Sequence, residues 1–255
     1  MRDLATYLKS TSNSMTVNLP VPERALAVGA HPDDIEFGCG GTLAKWAEAG
    51  CKVATLILTD GAKGSWNPRA VGSELREIRE EEARSSLLTL CGSDEVHFAR
   101  FVDGELSHST ETVRIAATTI RLFRPNIVLG HDPWKRYRIH PDHRNAGWIT
   151  TDAIAAARDP LYFPEDALEA HRPEGLLLFE ADQIDHYEDI SSSLPRKEAA
   201  LLCHRSQLGT SMGIHDPDDA DERRVFSDRL IESHHDIGRA AGLEVAEAFK
   251  LLGDL

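Results

Sequence analysis

Cysteine is scarce, with four in 255 residues, and none forms a CxxC pair, so neither a disulfide framework nor a zinc ribbon can be built. Cys39, Cys51, Cys91 and Cys203 instead read as reduced, partly buried thiols, the expectation for a cytoplasmic protein. Positive charge is also short: 28 Lys and Arg stand against 42 Asp and Glu, a formal net charge of −14. Binding nucleic acid needs a basic face to meet phosphates, which excludes that class of partner. A highly anionic substrate would need local cations to override the global field. No apolar run approaches the roughly 20 residues of a membrane span, so none is expected. The polar opening MRDLATYLKSTSNSMTVNLPVPE has no apolar segment before a cleavage site and carries no readable export signal. Internal repeats and low-complexity tracts are missing too.

What remains is an alternation of strand and helix signals. ALAVGA (25–30) reads as a buried strand, CGGTLAKWAEAG as a helix closed by Gly50, and KVATLILTDG (52–61) as a strand with four β-branched residues. A long charged helix follows over 73–92, with Ser73 as cap and Gly92 as stop. Then come a short strand EVHFAR, a helix over 109–125 ended by Pro125, a strand over 126–132 and a helix over 141–159. GLLLFEADQID (175–185) is one more strand, PRKEAALLCHRSQ a helix, and the stretch from about Asp221 onward helical. This order predicts an α/β fold: a Rossmann-like, mostly parallel sheet with helices on both faces. Residues 1–23 read as a loosely structured N-terminal extension, packing on a neighbouring subunit. Residues 24–255 read as one domain whose C-terminal part, from about 160, caps the active edge of the sheet.

Ligands of doubly wound sheets bind beyond the carboxyl ends of the strands, and the chemically suspicious clusters fall there. His31, Asp33 and Asp34 follow the first strand, Thr59-Asp60-Gly61 the second, Asp103 the third, and His131-Asp132 with RIHPDHR (138–144) the fourth. In HPDD, His31 and Asp34 are three residues apart and point the same way on a tight turn. A third ligand from HPDH would complete the three-ligand pattern of catalytic zinc, with one position left for water. A single helix cap explains one aspartate but not two; Asp33 is then free to act as the general base. Either motif alone could be a helix start, HPDH with Pro141 at the first position. A dinucleotide site is rejected, because histidine, proline and two acids stand where GxGxxG would meet a pyrophosphate.

AHPDDIEFGCGGTLAKWAEAG, LTDG, IREEEA, DGEL, RPNIVLGHDP, HPDHRNAG and AALLCHRSQ, in this order over about residues 25–207, resemble the LmbE-like, or PIG-L, family of metal-dependent N-deacetylases. The closing AEAFKLL is similar to the family's usual ending. The resemblance implies one zinc per chain, or another divalent metal, held by His31, Asp34 and His143, with Asp33 as base. It implies that His140 polarises the amide carbonyl and stabilises the oxyanion, with Asp142 orienting it. The implied substrates are small N-acetylglucosaminyl sugars or glycoconjugates; the alternatives are an amidase acting on mycothiol S-conjugates or antibiotic amides, and a non-catalytic carbohydrate-binding scaffold. Family enzymes are often homo-oligomers.

Three further residues are candidates for substrate contact. Arg79 matches the family helix with Glu82, although a surface ion pair between them would explain both. Asp103 could bind sugar hydroxyls or serve as a turn residue before Gly104. The loop WKRYR (134–138) either is a solvated basic loop or places Arg138 against an anionic or hydroxyl-rich part of the substrate, with Lys135 and Arg136 as rim charges. The acidic HDPDD (215–219) lies outside the matched motifs and reads as solvated surface. His204 and Cys39 need no function beyond a helix end and a small buried hydrophobe.

Overall fold

Residues 3–10, 15–253 and 255 are described by the computed structural model. The chain runs α1 (Leu4–Ser10), β1 (Thr16–Val17), β2 (Arg24–Gly29), α2 (Asp34–Glu48), β3 (Lys52–Thr59), α3 (Gly72–Cys91), β4 (Val96–Phe101), α4 (Thr110–Phe123), β5 (Ile127–His131), α5 (Pro141–Arg158), β6 (Gly175–Phe179), β7 (His186–Asp189), α6 (Leu194–Leu201), α7 (Ala220–Ala241) and β8 (Ala246–Gly253). The strands form one sheet in the order β1-β7-β8-β6-β5-β2-β3-β4, in which only β8 runs antiparallel to its neighbours. β2 lies between β3 and β5, so the chain reverses direction across the sheet there. That reversal opens a crevice at the carboxyl ends of β2 and β5, the place where such sheets hold ligands.

The two sides of the sheet are covered by separate apolar layers. Leu43, Trp46, Leu87 and Leu90 of α2 and α3 pack on one face with Phe179 and Phe249. Val113, Ile120, Ile149 and Ile154 of α4 and α5 cover the other, against Leu26, Leu56 and Val128. A third cluster lies under α7, where Phe226 and Leu230 meet Leu194, Leu208 and Met212. The α/β architecture with helices on both faces is therefore as the alternation predicts.

Several stretches differ from the sequence reading. Parts of the N-terminal stretch are ordered against this chain: Leu4, Leu8 and Leu19 join the core, and β1 pairs in parallel with β7. Its residues 1–2 and 11–14 lie outside the described residues. The stretch from Asp221 is helical only to Ala241; AEAFKLLG is a strand wedged between β6 and β7. Ala, Glu, Lys and Leu favour helix by local propensity, and pairing on both sides overrides it. Likewise 175–185 is two elements, a strand to Phe179 and then a turn through Glu180, whose φ of 53° is left-handed.

α2 begins at Asp34, before the predicted Cys39, because two segments are joined across a break at Cys39 (φ −151°). The exposed ends of the break are mended by buried side chains. Glu247 of β8 accepts from the Gly41 and Thr42 amides (2.8 Å each), as a cap would. Lys197 donates to the Phe37 carbonyl (2.8 Å) and to Glu247 (2.6 Å). A side chain at Gly38 would put a Cβ 2.5 Å from the Phe179 ring, so this close packing requires glycine.

Candidate metal centre and active site

The turn after β2 places Asp33 at the N-cap position of α2 with φ 110° and no capping hydrogen bond from its side chain. Left-handed backbone at a non-glycine residue costs about 1–3 kcal/mol and is held only by its surroundings. Here the surroundings are Arg79, which donates to the Gly61 carbonyl (3.0 Å), to the Pro32 carbonyl and to Asp33 Oδ1 (3.3 Å). The Asp33 carboxylate is thereby turned away from the helix and into a cavity. Burial pushes its pKa up to about 6, against the opposing pull of the Arg79 charge.

Beside it, the donor groups of three residues form a triangle. His31 Nδ1 lies 3.3 Å from Asp34 Oδ2, His143 Nε2 lies 3.3 Å from His31 Nδ1, and the same Nε2 lies 3.3 Å from Asp34 Oδ1. Ligands about 2.0–2.1 Å from a tetrahedral ion stand about 3.3–3.4 Å apart, so the two imidazole nitrogens and the Asp34 carboxylate, which meets each nitrogen with a different oxygen, stand at the spacing of such a coordination shell. Overlapping triplets also come together: His31, His140 and His143; Asp34, His131 and His143; His31, Asp103 and Asp142. The charge balance asks for a cation as well. Burial opposes a charged His31, but hydrogen bonds to Asp103, Asp142 and Asp34 outweigh it and raise its pKa well above the ordinary value.

The partners of these groups depart from the expected roles in two places. Asp142 is fully buried, and among the described residues it bonds to His31 Nε2 (3.1 Å), the Gly104 amide (2.6 Å) and the Leu106 amide (3.2 Å). Its carboxylate therefore backs His31, and its contact with the His140 ring is made by the backbone amide instead (3.3 Å). Arg138 is the second case. Its Nη1 lies 2.9 Å from His143 Nδ1 and 2.5 Å from Glu180 Oε2, behind a candidate ligand and not at the cavity. The basic loop ahead of HPDH thus folds inward at Arg138, while Arg136 turns out to Asp182 (2.9 Å).

The remaining candidates line the cavity, which has a volume of about 520 Å³. His140 caps α5: its Nδ1 accepts from the Asp142 amide (3.3 Å), which leaves Nε2–H of the neutral ring free to donate. Burial and the nearby His31 charge lower its pKa, favouring that neutral form. Asp103 accepts from the Lys63 amide (2.9 Å) and stands 3.2 Å from His31 Nε2. Arg79 is buried, so a surface pair with Glu82 is ruled out; Glu82 instead accepts from Ser206.

Sequence reading placed His131 among the clusters at the strand ends but gave it no role, and it left Glu180 and the 208–211 segment out of the site. His131 Nε2 lies 3.2 Å from Asp34 Oδ2 and its Nδ1 3.4 Å from Glu180, so it braces the Asp34 carboxylate from behind. The HD pair after β5 was the available signal. Gln207, Thr210 and Ser211 line the cavity from a segment with no chemical motif beyond the end of AALLCHRSQ. His204 stays buried beside Glu36 (3.3 Å). In HDPDD, Asp219 caps α7 by accepting from the Asp221 and Glu222 amides (2.8 and 3.1 Å).

Residues 26–154, which hold both motifs of the triangle, match the model of the family described as PIG-L, GlcNAc-PI de-N-acetylase. The chain belongs to the PIG-L family. It is 35% identical over 190 residues to the diacetylchitobiose deacetylase of Thermococcus kodakarensis, covering 73% of this chain and 70% of that one. N,N'-diacetylchitobiose deacetylase from Pyrococcus horikoshii, solved with its inhibitor MPG, superposes with a TM-score of 0.81 at 26% identity, over 91% of this chain and 84% of that one. The 4-carboxy-2-hydroxymuconate hydratase GalB of Pseudomonas putida KT2440 shares the fold (TM-score 0.73, 22% identity, 91% and 97% covered), so the fold alone does not choose the reaction. PIG-L enzymes are metal-dependent deacetylases, and this chain is an enzyme of that kind. Among the described residues, no helix is long and apolar enough to cross a membrane.

Proposed function

We propose that this PIG-L enzyme hydrolyses the N-acetyl group of a small N-acetylglucosamine-type sugar, with one zinc ion held by His31, Asp34 and His143. The observation that carries the reading is the uncapped Asp33 carboxylate, held in a left-handed turn beside the convergent donor groups of three residues. A binding scaffold has no use for a strained, buried acid whose pKa is pushed to about 6; a general base working near neutrality does. Zinc supplies Lewis acidity and brings the pKa of an attendant water towards about 7.

The protein's own groups divide the remaining work. Asp33 accepts the proton of the attacking water, and the new C–O bond forms at the acetyl carbonyl carbon. His140 donates Nε2–H to the carbonyl oxygen as negative charge grows there. When the C–N bond breaks, the proton held by Asp33 passes to the departing amine, so that acetate and a free amino sugar leave. Arg79 fixes Asp33 against the Pro32 and Gly61 carbonyls, and Asp103 faces the cavity where sugar hydroxyls would lie.

Acetate release from N,N'-diacetylchitobiose, measured together with metal content, tests the proposal. The expected result is one metal per chain, activity lost on chelation and restored by zinc. Full metal occupancy in His143→Ala would sink the ligand assignment, and absence of acetate release from the zinc-loaded protein would sink the reaction.

A further inference from the structure

The walls of the cavity change character from floor to mouth. At the floor stand buried His31, Asp33, Arg79 and Asp103. At the mouth two aromatic side chains are bare: Phe37 is 36% exposed and Trp66 75%. A large indole left in water is the kind of exposure that calls for an explanation. Packing does not provide one, because among the described residues the Trp66 ring has no aromatic or cation partner.

The loop beneath it is nevertheless firmly held. Gly64 accepts from Gln207 Nε2 at 3.0 Å, and a Cβ on Gly64 would fall 2.3 Å from Arg79 Nη1. The Asn67 amide donates to Ser65 Oγ (3.2 Å), and Asn67 Oδ1 accepts from the Arg69 amide (3.0 Å), so Trp66 sits inside one side-chain turn and next to a second that contains Pro68. A fixed loop presenting a free aromatic face is a platform built in advance. Hydroxyl and amide groups share its cavity: Ser65, Thr210, Ser211 and Gln207 line it as well.

An aromatic face that shares a cavity with hydrogen-bonding groups matches one ligand chemistry well. A pyranose presents C–H groups on its face, which meet the negative face of the ring, and hydroxyls around its edge, which need polar partners. The acetylated unit must reach the floor to meet Asp33 and His140, so the ring over Trp66 is the unit attached to it. We infer that Trp66, with Phe37 and the Thr210–Ser211 segment, forms a second sugar subsite that makes this enzyme prefer a glycosidically linked N-acetylglucosamine over the free monosaccharide. The assignment rests on the deacetylase reading above for which unit lies at the floor.

The test compares kcat/KM for N,N'-diacetylchitobiose with that for N-acetylglucosamine in the zinc-loaded protein, Trp66→Ala and Trp66→Phe. The disaccharide-to-monosaccharide ratio should fall about tenfold in Trp66→Ala, the scale of one lost stacking contact with its buried area, and recover largely in Trp66→Phe. An unchanged ratio overturns the subsite. Calorimetric binding of both sugars to Asp33→Asn, with and without Trp66→Ala, separates this outcome from failure of the reaction assignment. Disaccharide preference that disappears with Trp66 supports the subsite even if no acetate is released. A protein that shows no such preference at the outset overturns it.

Discussion

At the scale of single residues, the two adjacent aspartates of HPDD are distinguished by backbone geometry. Asp34 starts α2 and aims at the donor triangle, while Asp33, one residue earlier, is left-handed and aims at the cavity. Asp33→Asn should therefore retain fold and metal yet lose on the order of 10²-fold or more in kcat, read by acetate release beside metal analysis. Retained kcat would exclude a base at this position. The shell behind the triangle gives a second expectation. Glu180 holds Arg138 and faces His131, which brace His143 and Asp34 respectively. Glu180→Ala should weaken metal affinity by about 10–100-fold, the usual scale for groups that orient ligands, as measured by competition with a chelator. HPDD and HPDH were legible because residue type and spacing alone suffice to bring imidazole and carboxylate together. Glu180 was not, because nothing in FEAD marks an acid that reaches the site only through a left-handed turn. Arg138 was legible as a charge but not as to direction, since a loop's inward fold depends on a partner 42 positions away in the chain.

At the scale of elements, the sequence pattern located most helices and strands to within a few residues because each apolar face alternates with the period of its own structure. It could not locate the break in α2, whose repair lies in β8 and α6. Lys197 and Glu247 are both buried, and each satisfies one end of the interrupted helix. Lys197→Met should cost about 3–5 kcal/mol, because it strands a buried carboxylate and frees the Phe37 carbonyl. The double variant Lys197→Met/Glu247→Gln should regain part of that loss, since Gln keeps one acceptor for the cap and carries no charge. Chemical denaturation of both proteins measures the difference. Equal stability of the single variant and the parent would show that the pair contributes nothing. The same blindness explains why AEAFKLLG reads as a helix: its strand form is dictated by β6 and β7, not by its own residues.

At the scale of the whole molecule, His234 ties α7 to this buried network and makes stability depend on pH. Its Nδ1 donates to the Leu230 carbonyl (2.7 Å), and its Nε2 accepts from Lys197 (2.9 Å), so the folded ring is neutral. Burial, helped by the Lys197 charge, lowers its pKa to about 4, below the ordinary value near 6.5. Above pH 6.5 neither the folded nor the unfolded state is protonated, and the contribution is complete. As pH falls from 6.5 to 4, only the unfolded state takes up the proton, and stability declines by about 2 kcal/mol between pH 7.5 and 5. Urea unfolding at the two pH values, repeated on His234→Asn, should show that slope reduced by this share; an unaltered slope assigns the acid sensitivity to other groups. The wedge position of β8 has a consequence of another kind, in the order of events during synthesis. β6 and β7 are neighbours in the chain but never touch as strands, and β1 joins the sheet only through β7. At about 5–20 residues per second, the ribosome delivers the apolar GLLLF edge of β6 several seconds before the strand that will cover it. Through that interval the nascent chain holds a half-sheet with an open seam, and arrest short of Ala246 would leave a sticky, unpaired edge. Capture of the last strand is thus the step that turns two sheet fragments into one.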